Sequence, residues 1–331
     1  MIKLNKLIDA EDKIFVAGHN GMVGKAICRS LTKRGYQNII TSTRSKLDLT
    51  IATDVDDFIN VNRPKIVVLA AAKVGGIYAN NQYPGEFILN NLLIQTNVIN
   101  SSWKFNVDRF LFLGSSCIYP KLSKQPIKEE YLLNGELEKT NEYYATAKIA
   151  GLKLCEGLNK QYGFDSISLM PTNLYGTGDN YNLESSHVLP ALVRKFSEAK
   201  KYNHDSVVCW GDGSPLREFL HCDDLGDACV FVLENVNTDI LNKFNHSNDN
   251  FLSHLNIGTG IDISIKDLAE LIAFEVGYNG EIIWDSNKPN GTHQKKLDVS
   301  LINKLGWEYK IPLKLGLKST IKEFQDIDLR L

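Results

Sequence analysis

The sequence predicts an α/β protein with a doubly wound parallel sheet and a smaller C-terminal α/β lobe. Continuous apolar runs, typical of parallel strands that are buried on both faces, recur along the first half of the chain, and helical stretches separate them. The first apolar run leads directly into a glycine-rich turn and then into a helix. This order of strand, turn and helix indicates a Rossmann-type sheet, which binds its ligands at the carboxyl ends of the strands.

Composition limits the classes of partner. The chain has 331 residues, of which 43% are hydrophobic and 23% charged, and this is typical of a globular protein with about two domains. A formal net charge of -2 gives no reason to expect nucleic acid or an anionic membrane as a partner. No apolar run reaches the length of about 18 residues that spans a membrane, and charged residues interrupt positions 1–13, which is not typical of a signal peptide.

The six cysteines predict a reducing compartment and no metal site. None of them forms a Cys-x-x-Cys pair or shows the spacing of zinc ligands. We therefore expect a cytoplasmic protein in which most cysteines are small core residues. The cysteines are Cys28, Cys117, Cys155, Cys209, Cys222 and Cys229.

The first apolar run, residues 13–17, is followed by three glycines spaced three residues apart and by a helical pattern that ends near Gly35. Glycines here permit a tight turn and a close approach to a pyrophosphate, and the N–H groups at the helix start supply an anion site. A plain β–α turn that requires glycine is the alternative. The predicted cofactor residues of this turn are Gly18, His19, Asn20, Gly21, Met22, Val23 and Gly24.

The end of the second predicted strand, residues 38–43, indicates which dinucleotide is bound. An NAD site commonly has an acidic residue there to hold the ribose hydroxyls, whereas this chain has Thr43 and Arg44. An arginine suits a 2′-phosphate, so we expect NADP(H) as the cofactor. A solvated loop arginine is the alternative for Arg44. Asp48 either contacts the adenine or caps a turn, and the sequence does not decide between the two.

Polar residues follow each of the later predicted strands. The strands are expected at 66–71, 110–113 and 166–170, with helices at 87–104 and 144–162. The residues that carry chemistry follow the strands at 72–76, 114–120 and 171–176. Because the carboxyl ends of parallel strands meet at one edge of the sheet, we expect these three segments to line one site.

Tyr144 and Lys148 are four residues apart and lie on the same face of a predicted helix. Free tyrosine ionises near pH ~10, and a nearby ammonium group is expected to lower that value. Tyr144 would then exchange a proton with an alcohol or carbonyl oxygen near neutral pH. This helix follows the strand that ends at Ser115, so Ser115 and Tyr144 are expected to converge on one substrate oxygen.

The second half of the chain shows a looser pattern, which predicts a smaller lobe over the cofactor. Residues 188–193 are expected to start a short helix, and residues 219–225 are expected to open another. Strands are expected at 207–211 and 255–258 and a helix at 265–274, and the polar stretch 237–250 is expected to be an exposed loop. We expect a cofactor domain of residues 12–176, to which 220–258 returns, and a substrate lobe of 177–219 and 259–331.

These motifs resemble a known enzyme family. The three glycines, Ser115 and the Tyr144–Lys148 pair are similar to the extended short-chain dehydrogenase/reductase superfamily. Longer stretches resemble the GDP-L-fucose synthase family within it: AAAKVGGI at 70–77, LGSSCIYPK at 113–121, MPTNLYG at 170–176 and REFLH at 217–221. The resemblance implies an NADP(H)-dependent 3,5-epimerase and 4-reductase that acts on GDP-4-keto-6-deoxy-D-mannose.

The resemblance also implies a role for each matching residue. Tyr144 would protonate the C4 oxygen, Lys148 would tune Tyr144 and hold the nicotinamide ribose, and Ser115 would bond the same oxygen. Cys117 and His187 would be the acid/base pair that inverts C3 and C5. Further cofactor residues would be Leu113, Gly114, Ser115, Ser116, Lys148, Pro171, Thr172, Asn173, Leu174 and His187. The GDP-sugar would contact Asn173, Lys195, Trp210, Arg217, Asn290 and Lys295, with the cations facing the diphosphate.

Two positions depart from the pattern of the family. Asn20 stands where a basic residue is usual, which predicts a weaker NADP preference than a site with two cations has. Asn290 stands where aspartate is common, and an amide accepts at one atom while it donates at the other. A related nucleotide-sugar epimerase or reductase, such as one acting on a GDP-4-keto-6-deoxyheptose, is the alternative enzyme; a regulatory nucleotide-binding protein is the alternative that lacks activity.

The two long helices predict self-association. The helices at 87–104 and 144–162 carry apolar residues on more than one face, including Leu92, Leu93, Leu152 and Leu154. A helix that is apolar around much of its circumference requires a second covering surface. We therefore expect a homodimer that forms through a four-helix bundle, as relatives in this superfamily do.

Overall fold

The computed structural model describes residues 6–244, 251–288 and 290–328. Its strands are β1 Ile14–Ala17, β2 Ile39–Ile40, β3 Ile66–Leu69, β4 Arg109–Leu113, β5 Ser166–Pro171, β6 Asn173–Tyr175, β7 Ser206–Trp210, β8 Leu216–His221, β9 His254–Ile257, β10 Asp262–Ser264, β11 Glu281–Asp285 and β12 Gln294–Lys295. Its helices are α1 Met22–Lys33, α2 Ala52–Asn62, α3 Ile77–Gln82, α4 Pro84–Lys104, α5 Glu142–Tyr162, α6 Val188–Lys201, α7 Cys222–Asn235, α8 Thr238–Phe244, α9 Ile265–Val276, α10 Ser300–Leu305 and α11 Leu313–Asp328.

The largest sheet has six parallel strands in the order β2-β1-β3-β4-β5-β9, which confirms the doubly wound architecture. The chain leaves β1 toward β2 on one side and returns to β3 on the other. The strand order therefore reverses between β1 and β3, where ligands bind in sheets of this kind. The apolar runs of β1, β3 and β4 are buried along their whole length, because helices cover both faces of the sheet.

Two groups of helices cover the large sheet. On one face α1 packs against α7, and their buried side chains include Ile27, Leu31 and Leu225. On the other face α4 packs against α5 and α2, with Ile99 and Leu152 in the shared core. This second group places α5, the helix that carries Tyr144, beside the end of β4.

The smaller lobe is built on the other strands. Strand β8 pairs antiparallel with β10, and it pairs in parallel with β12 and β6. Strands β7 and β11 form a separate parallel pair. Helices α6, α9 and α11 enclose a core of their own, in which Leu192, Phe196 and Leu268 are buried. This is the smaller α/β lobe that the sequence predicts.

Two expectations about local structure are wrong. Residues 219–221 do not open a helix but end strand β8, because Phe219 and Leu220 pair with strand β6, which is distant in sequence; the helix starts at Cys222. The stretch 237–250 is not wholly an exposed loop, since α8 occupies Thr238–Phe244 and buries Leu241. Residues 245–250 of that stretch lie outside the described part of the chain.

Other elements differ from expectation in extent. Strand β2 has only two residues, and α6 continues to Lys201 because its apolar positions pack into the core of the smaller lobe. Helices α2 and α11 were not predicted from the sequence. Among the described residues, no helix combines the length and the apolar character that crossing a bilayer requires.

Candidate active site

A cleft of about 1400 Å³ opens at the carboxyl ends of the large sheet and continues into the smaller lobe. Its walls include residues of all three sheets and of the loops after β1, β3, β4 and β5. Every residue that the sequence predicts for cofactor, substrate or catalysis lines this cleft. The structure therefore brings the predicted residues together, while the individual roles remain predictions.

The glycine-rich turn has the geometry of an anion site. Gly18 has a φ of +93°, and a Cβ atom there would lie 2.6 Å from the backbone nitrogen of Ala71. A Cβ atom on Gly24 would overlap the carbonyl oxygen of Gly18. Gly21 is the N-cap of α1 and provides no side-chain cap, and the first turn of the helix has no acidic residue. The N–H groups that begin α1 therefore suit the pyrophosphate of a dinucleotide.

Tyr144, Lys148 and Ser115 lie together at the end of β4. Lys148 is only 3% exposed, and its Nζ atom donates a hydrogen bond of 2.8 Å to the Leu113 carbonyl oxygen. The same Nζ atom lies 5.9 Å from the ring centre of Tyr144. The Ser115 hydroxyl accepts a hydrogen bond of 3.2 Å from the Cys117 backbone N–H, and it influences the pKa values of the Tyr144 and Cys117 side chains. One hydroxyl, one phenol and one amine thus face the same part of the cleft.

The expectation that Lys148 lowers the pKa of Tyr144 is wrong for this structure. Burial raises the pKa of Tyr144 and the neighbouring Cys117 raises it further, while the hydrogen bond from Ser115 offsets only part of the change. Burial also lowers the pKa of Lys148, to about 7. Desolvation thus outweighs the interaction between the two groups, because the Lys148 ammonium is directed at Leu113. A phenol with a raised pKa is a weaker acid, but it is protonated at neutral pH and can still donate to an alkoxide, which is a stronger base than a phenolate.

Cys117 lies in the 3-10 turn Ser116–Ile118 that follows β4. Its Sγ atom is 3.2 Å from Lys295 Nζ and 3.4 Å from Asn141 Nδ2, both of which are donors. Burial alone would raise the pKa of the thiol, but the Lys295 charge, hydrogen bonds from Ser115 and Lys295, and the Arg217 charge outweigh it and lower the pKa. Cys117 therefore differs from a structural core cysteine such as Cys155, whose pKa burial raises.

His187 is the N-cap of α6 and opens into the cleft. Its imidazole makes no capping hydrogen bond to the helix, so it is not held as a structural cap. Desolvation by the cleft walls, followed by the charge of Lys295, lowers its pKa. The loop before it is fixed by a backbone hydrogen bond of 3.0 Å from Gly76 to Ser185, which ties the α6 start to the loop after β3.

The smaller lobe contributes an aromatic side chain flanked by amines. Lys195 Nζ donates to the Val208 carbonyl oxygen at 2.8 Å and lies 5.9 Å from the ring centre of Trp210. Lys288 Nζ lies 5.5 Å from the same ring centre. Asn290 Oδ1 accepts a hydrogen bond of 3.0 Å from the Asp212 backbone, which holds the turn after β7. A flat aromatic surface beside amines suits a nucleotide base and its phosphates.

A family model described as the NAD dependent epimerase/dehydratase family matches residues 14–246, which include the glycine turn and the Tyr144–Lys148 pair. The chain belongs to this family. Proteins named GDP-L-fucose synthase are similar to the chain over nearly its whole length, as the sequence motifs implied.

Two relatives within the family illustrate the similarity. GDP-L-fucose synthase 1 of Arabidopsis thaliana is 52% identical over 318 residues, which cover 96% of this chain and 94% of the relative. GDP-L-fucose synthase of Escherichia coli (strain K12) is 50% identical over 315 residues, which cover 95% and 97%. A solved structure of a GDP-mannoheptose C4 reductase from Campylobacter jejuni, with NADP bound, has a TM-score of 0.85 and 39% identity over 96% of this chain and 99% of its own.

The structure shows the turn-capping role of Asp48, while a contact with the adenine stays a prediction because Asp48 also lines the cleft. Its Oδ1 atom accepts hydrogen bonds of 2.9 Å from the Thr50 backbone and 2.7 Å from the Thr50 hydroxyl. Asp48 therefore caps the turn before α2. Its other oxygen, Oδ2, lies 3.6 Å from Arg44 Nε, and Arg44 is 81% exposed at the edge of the cleft.

Sequence reasoning missed two polar residues in the catalytic part of the cleft. Asn141 donates to Cys117, and Glu138 pairs with Lys121 at 2.9 Å and faces Thr292. Asn141 lies one helical turn before Tyr144, so the spacing of Asn141, Tyr144 and Lys148 on one helix face was the available signal. Glu138 had no such signal, because it lies in an irregular segment between β4 and α5.

Proposed function

We propose that this protein epimerises C3 and C5 of GDP-4-keto-6-deoxy-D-mannose and reduces C4 with NADPH to give GDP-L-fucose. The proposal depends on the position of Cys117. This thiol has a lowered pKa, and it lies next to Ser115, which also interacts with Tyr144. A plain C4 reductase requires a phenol and a hydroxyl at the oxygen. A reactive thiol beside them adds a base that can remove a proton from a substrate carbon.

Epimerisation follows from the acidity of the substrate carbons. Protons at C3 and C5 are acidic because each carbon is α to the C4 ketone, and removal of one places negative charge on the C4 oxygen. Ser115 and Tyr144 donate hydrogen bonds to that oxygen and stabilise the enolate. The Cys117 thiolate takes the proton from carbon, and His187 in its protonated form returns one on the opposite ring face.

Reduction uses the same oxygen. Bound NADPH supplies the hydride for C4. Tyr144, which keeps its proton at neutral pH, gives that proton to the C4 oxygen, because the alkoxide that hydride transfer forms is a stronger base than a phenolate. Lys148 is held by Leu113 at the base of the cleft, where it orients the nicotinamide ribose. One oxyanion site therefore serves both steps.

The function is tested by incubating the protein with GDP-4-keto-6-deoxy-D-mannose and NADPH and identifying the product by NMR. We expect GDP-L-fucose with equimolar oxidation of NADPH. A product reduced at C4 with the original configuration at C3 and C5 would replace the epimerase with a plain reductase. No NADPH oxidation with this sugar, but oxidation with a GDP-4-keto-6-deoxyheptose, would favour the second candidate. That candidate is motivated by similar solved structures of heptose reductases, which are 36% and 39% identical to this chain.

Arg44 is proposed to bind the 2′-phosphate of NADP(H). Its side chain reaches the cleft edge, but it is highly exposed and is shared with the Asp48 carboxylate. Asn20 adds a hydrogen-bond donor and no charge. We therefore expect NADPH to bind more tightly than NADH because of the charge of Arg44.

Replacement of Arg44 by alanine is expected to raise the Kd of NADPH about tenfold, since one charged contact, here exposed and partly screened, contributes about 1.5 kcal/mol. The Kd of NADH should change little, because NADH lacks the phosphate. Titration of both cofactors by quenching of protein fluorescence measures the two constants. Equal losses for the two cofactors would show that Arg44 does not read the 2′-phosphate.

The protein is proposed to form a homodimer through α4 and α5. These helices pack against each other, while Leu89 (58% exposed) and Leu93 (38% exposed) lie four residues apart on the outer face of α4. Two copies of this helix pair would bury both leucines in a four-helix bundle. Neither leucine lines the cleft, so association leaves the cleft open.

Leu93→Glu is expected to convert the dimer to a monomer at micromolar concentration. Burying an unpaired carboxylate costs several kcal/mol, so the dimer Kd should rise by at least ~100-fold. Light scattering after size exclusion measures the mass. Leu122→Glu, at a leucine that is 90% exposed in a loop, is the matched control and should leave the mass unchanged. A wild-type protein that is monomeric under these conditions would contradict the proposal.

Two further assignments belong to this proposal. The cofactor domain comprises residues 12–176 with 220–258. The return of 220–258 is supported by strand β9 of that range, which pairs with β5 in the large sheet. The substrate lobe comprises 177–219 and 259–331, although Ile302 and Trp307 of that range pack into the core beneath the large sheet. A cytoplasmic location is supported by the six cysteines, all of which are free thiols.

A further inference from the structure

Lys295 is directed at the thiol of Cys117. The family resemblance assigns this lysine to the diphosphate of the substrate, but its Nζ atom lies 3.2 Å from Cys117 Sγ, within hydrogen-bond distance for sulfur. Lys295 is in strand β12, where it pairs directly with Arg217 of strand β8. The other amine of the cleft that the resemblance assigns to the diphosphate, Lys195, is instead bound to a carbonyl oxygen of β7.

The backbone around Lys295 is fixed on both sides. Strand β12 is joined to β8 on one side. The Gln125 side chain accepts from the Lys296 backbone at 2.9 Å and donates to the Gln294 carbonyl oxygen at 3.2 Å. The Leu297 backbone donates to the buried Glu218 carboxylate at 2.8 Å. Lys295 is therefore held in a rigid segment, which can place an ammonium group at a defined position.

The charged groups around Cys117 favour a negative sulfur. Lys295 and Arg217 face the thiol from β12 and β8, Tyr144 faces it from α5, and Asn141 faces it from the N-cap of α5. Glu138 lies near Arg217 and is neutralised in part by Lys121. Two cations directly opposite each other in neighbouring strands repel, and a thiolate facing both of them offsets that repulsion. Lys295 is the cation that also donates a hydrogen bond to the sulfur.

We propose that Lys295 is a positioning residue for epimerisation, which holds Cys117 as the thiolate and orients its sulfur toward the substrate carbon. The proposal rests on the proposed role of Cys117 as the base. In the step that follows, the C–H bond breaks and an S–H bond forms, while the electron pair of the C–H bond becomes the enolate whose charge lies on the C4 oxygen. Lys295 keeps its proton throughout, and its partner changes from thiolate to thiol.

The same ammonium also acts on His187, whose pKa it lowers. The working pair requires a thiolate at Cys117 and a proton on His187, so its rate has an acidic limb from the thiol and a basic limb from the imidazole. Removing the Lys295 charge should move both limbs toward higher pH. A lysine that only binds the diphosphate would change the affinity for the sugar and leave the limbs in place.

The test is the pH dependence of Cys117 alkylation by iodoacetamide in protein saturated with NADP⁺ and without sugar, followed by mass spectrometry of the peptide that contains Cys117. For Lys295→Gln we expect the midpoint to rise by at least one pH unit, which is roughly a tenfold lower rate at neutral pH. Lys295→Arg should restore most of the wild-type profile, because it retains the charge. Lys195→Gln removes a different amine of the cleft and should leave the midpoint unchanged.

The folded state of each variant is checked by its thermal midpoint and by NADPH affinity. If folded Lys295→Gln shows the wild-type alkylation midpoint, Lys295 does not hold the thiolate and the inference is wrong. If the midpoint shifts as expected while the wild-type protein exchanges no carbon-bound hydrogen of the keto sugar in D₂O, the Lys295–Cys117 coupling stands and the proposed function fails. The alkylation assay contains no sugar, so the two failures are distinguishable.

Discussion

Tyr144→Phe is expected to lose hydride transfer to C4 by a factor on the order of 10²–10⁴, the usual contribution of a positioned general acid. The Tyr144 phenol and the Cys117 thiol both lie next to Ser115. The raised pKa of Tyr144 keeps its proton in place at neutral pH, where it can be given to the C4 oxygen. Phenylalanine retains the ring, which packs at 6.5 Å from Phe87, and removes only the hydroxyl. The measurement is NADPH oxidation with the keto sugar.

The exchange of hydrogen at C3 and C5 should slow less than hydride transfer in the same variant. With NADP⁺ in place of NADPH the sugar cannot be reduced, and incorporation of deuterium from D₂O reports proton removal at C3 and C5. Ser115 still donates to the enolate oxygen, so exchange slows less than reduction does. Tyr143→Phe is the matched control, because Tyr143 is the preceding residue of α5, is 45% exposed and does not line the cleft. Full reductase activity in Tyr144→Phe would remove Tyr144 from the mechanism.

Cys117→Ser is expected to have the opposite effect on the two reactions. A serine hydroxyl is a far poorer base than a thiol that ionises near pH ~8.5 when unperturbed, and the surroundings of Cys117 lower its pKa further. We expect deuterium exchange at C3 and C5 to fall on the order of 10²–10⁴-fold. NADPH binding should be retained, and the unepimerised ketone should be reduced slowly.

NMR resolves deuterium at each carbon, so one experiment separates C3 from C5. Cys28→Ser is the matched control for loss of a half-buried thiol, since Cys28 does not line the cleft. Exchange at the wild-type rate in Cys117→Ser would show that this thiol only packs in the protein. Exchange lost at one carbon alone would assign the other carbon to a different base and overturn the shared role of Cys117.

Local patterns in the sequence predicted much of the large sheet. Strand–turn–helix order, three glycines and continuous apolar runs are properties of neighbouring residues, and they placed β1, β3, β4 and β5 to within a few residues. The smaller lobe was predicted less well. Its strands β6, β8 and β12 are short and depend on pairing between segments far apart in the chain, which no local pattern records.

The sequence by itself determined the residue types of the candidate site, because a phenol, an amine, a hydroxyl and a thiol at the ends of predicted strands limit the chemistry to proton transfer at oxygen and carbon. Only the tertiary structure decided their ionisation. Burial of Tyr144 and Lys148 reverses the expectation drawn from their helical spacing, since desolvation depends on all the atoms around a group. The contact between Lys295 and Cys117 joins residues 178 positions apart, and it depends on the pairing of β12 with β8 in the smaller lobe.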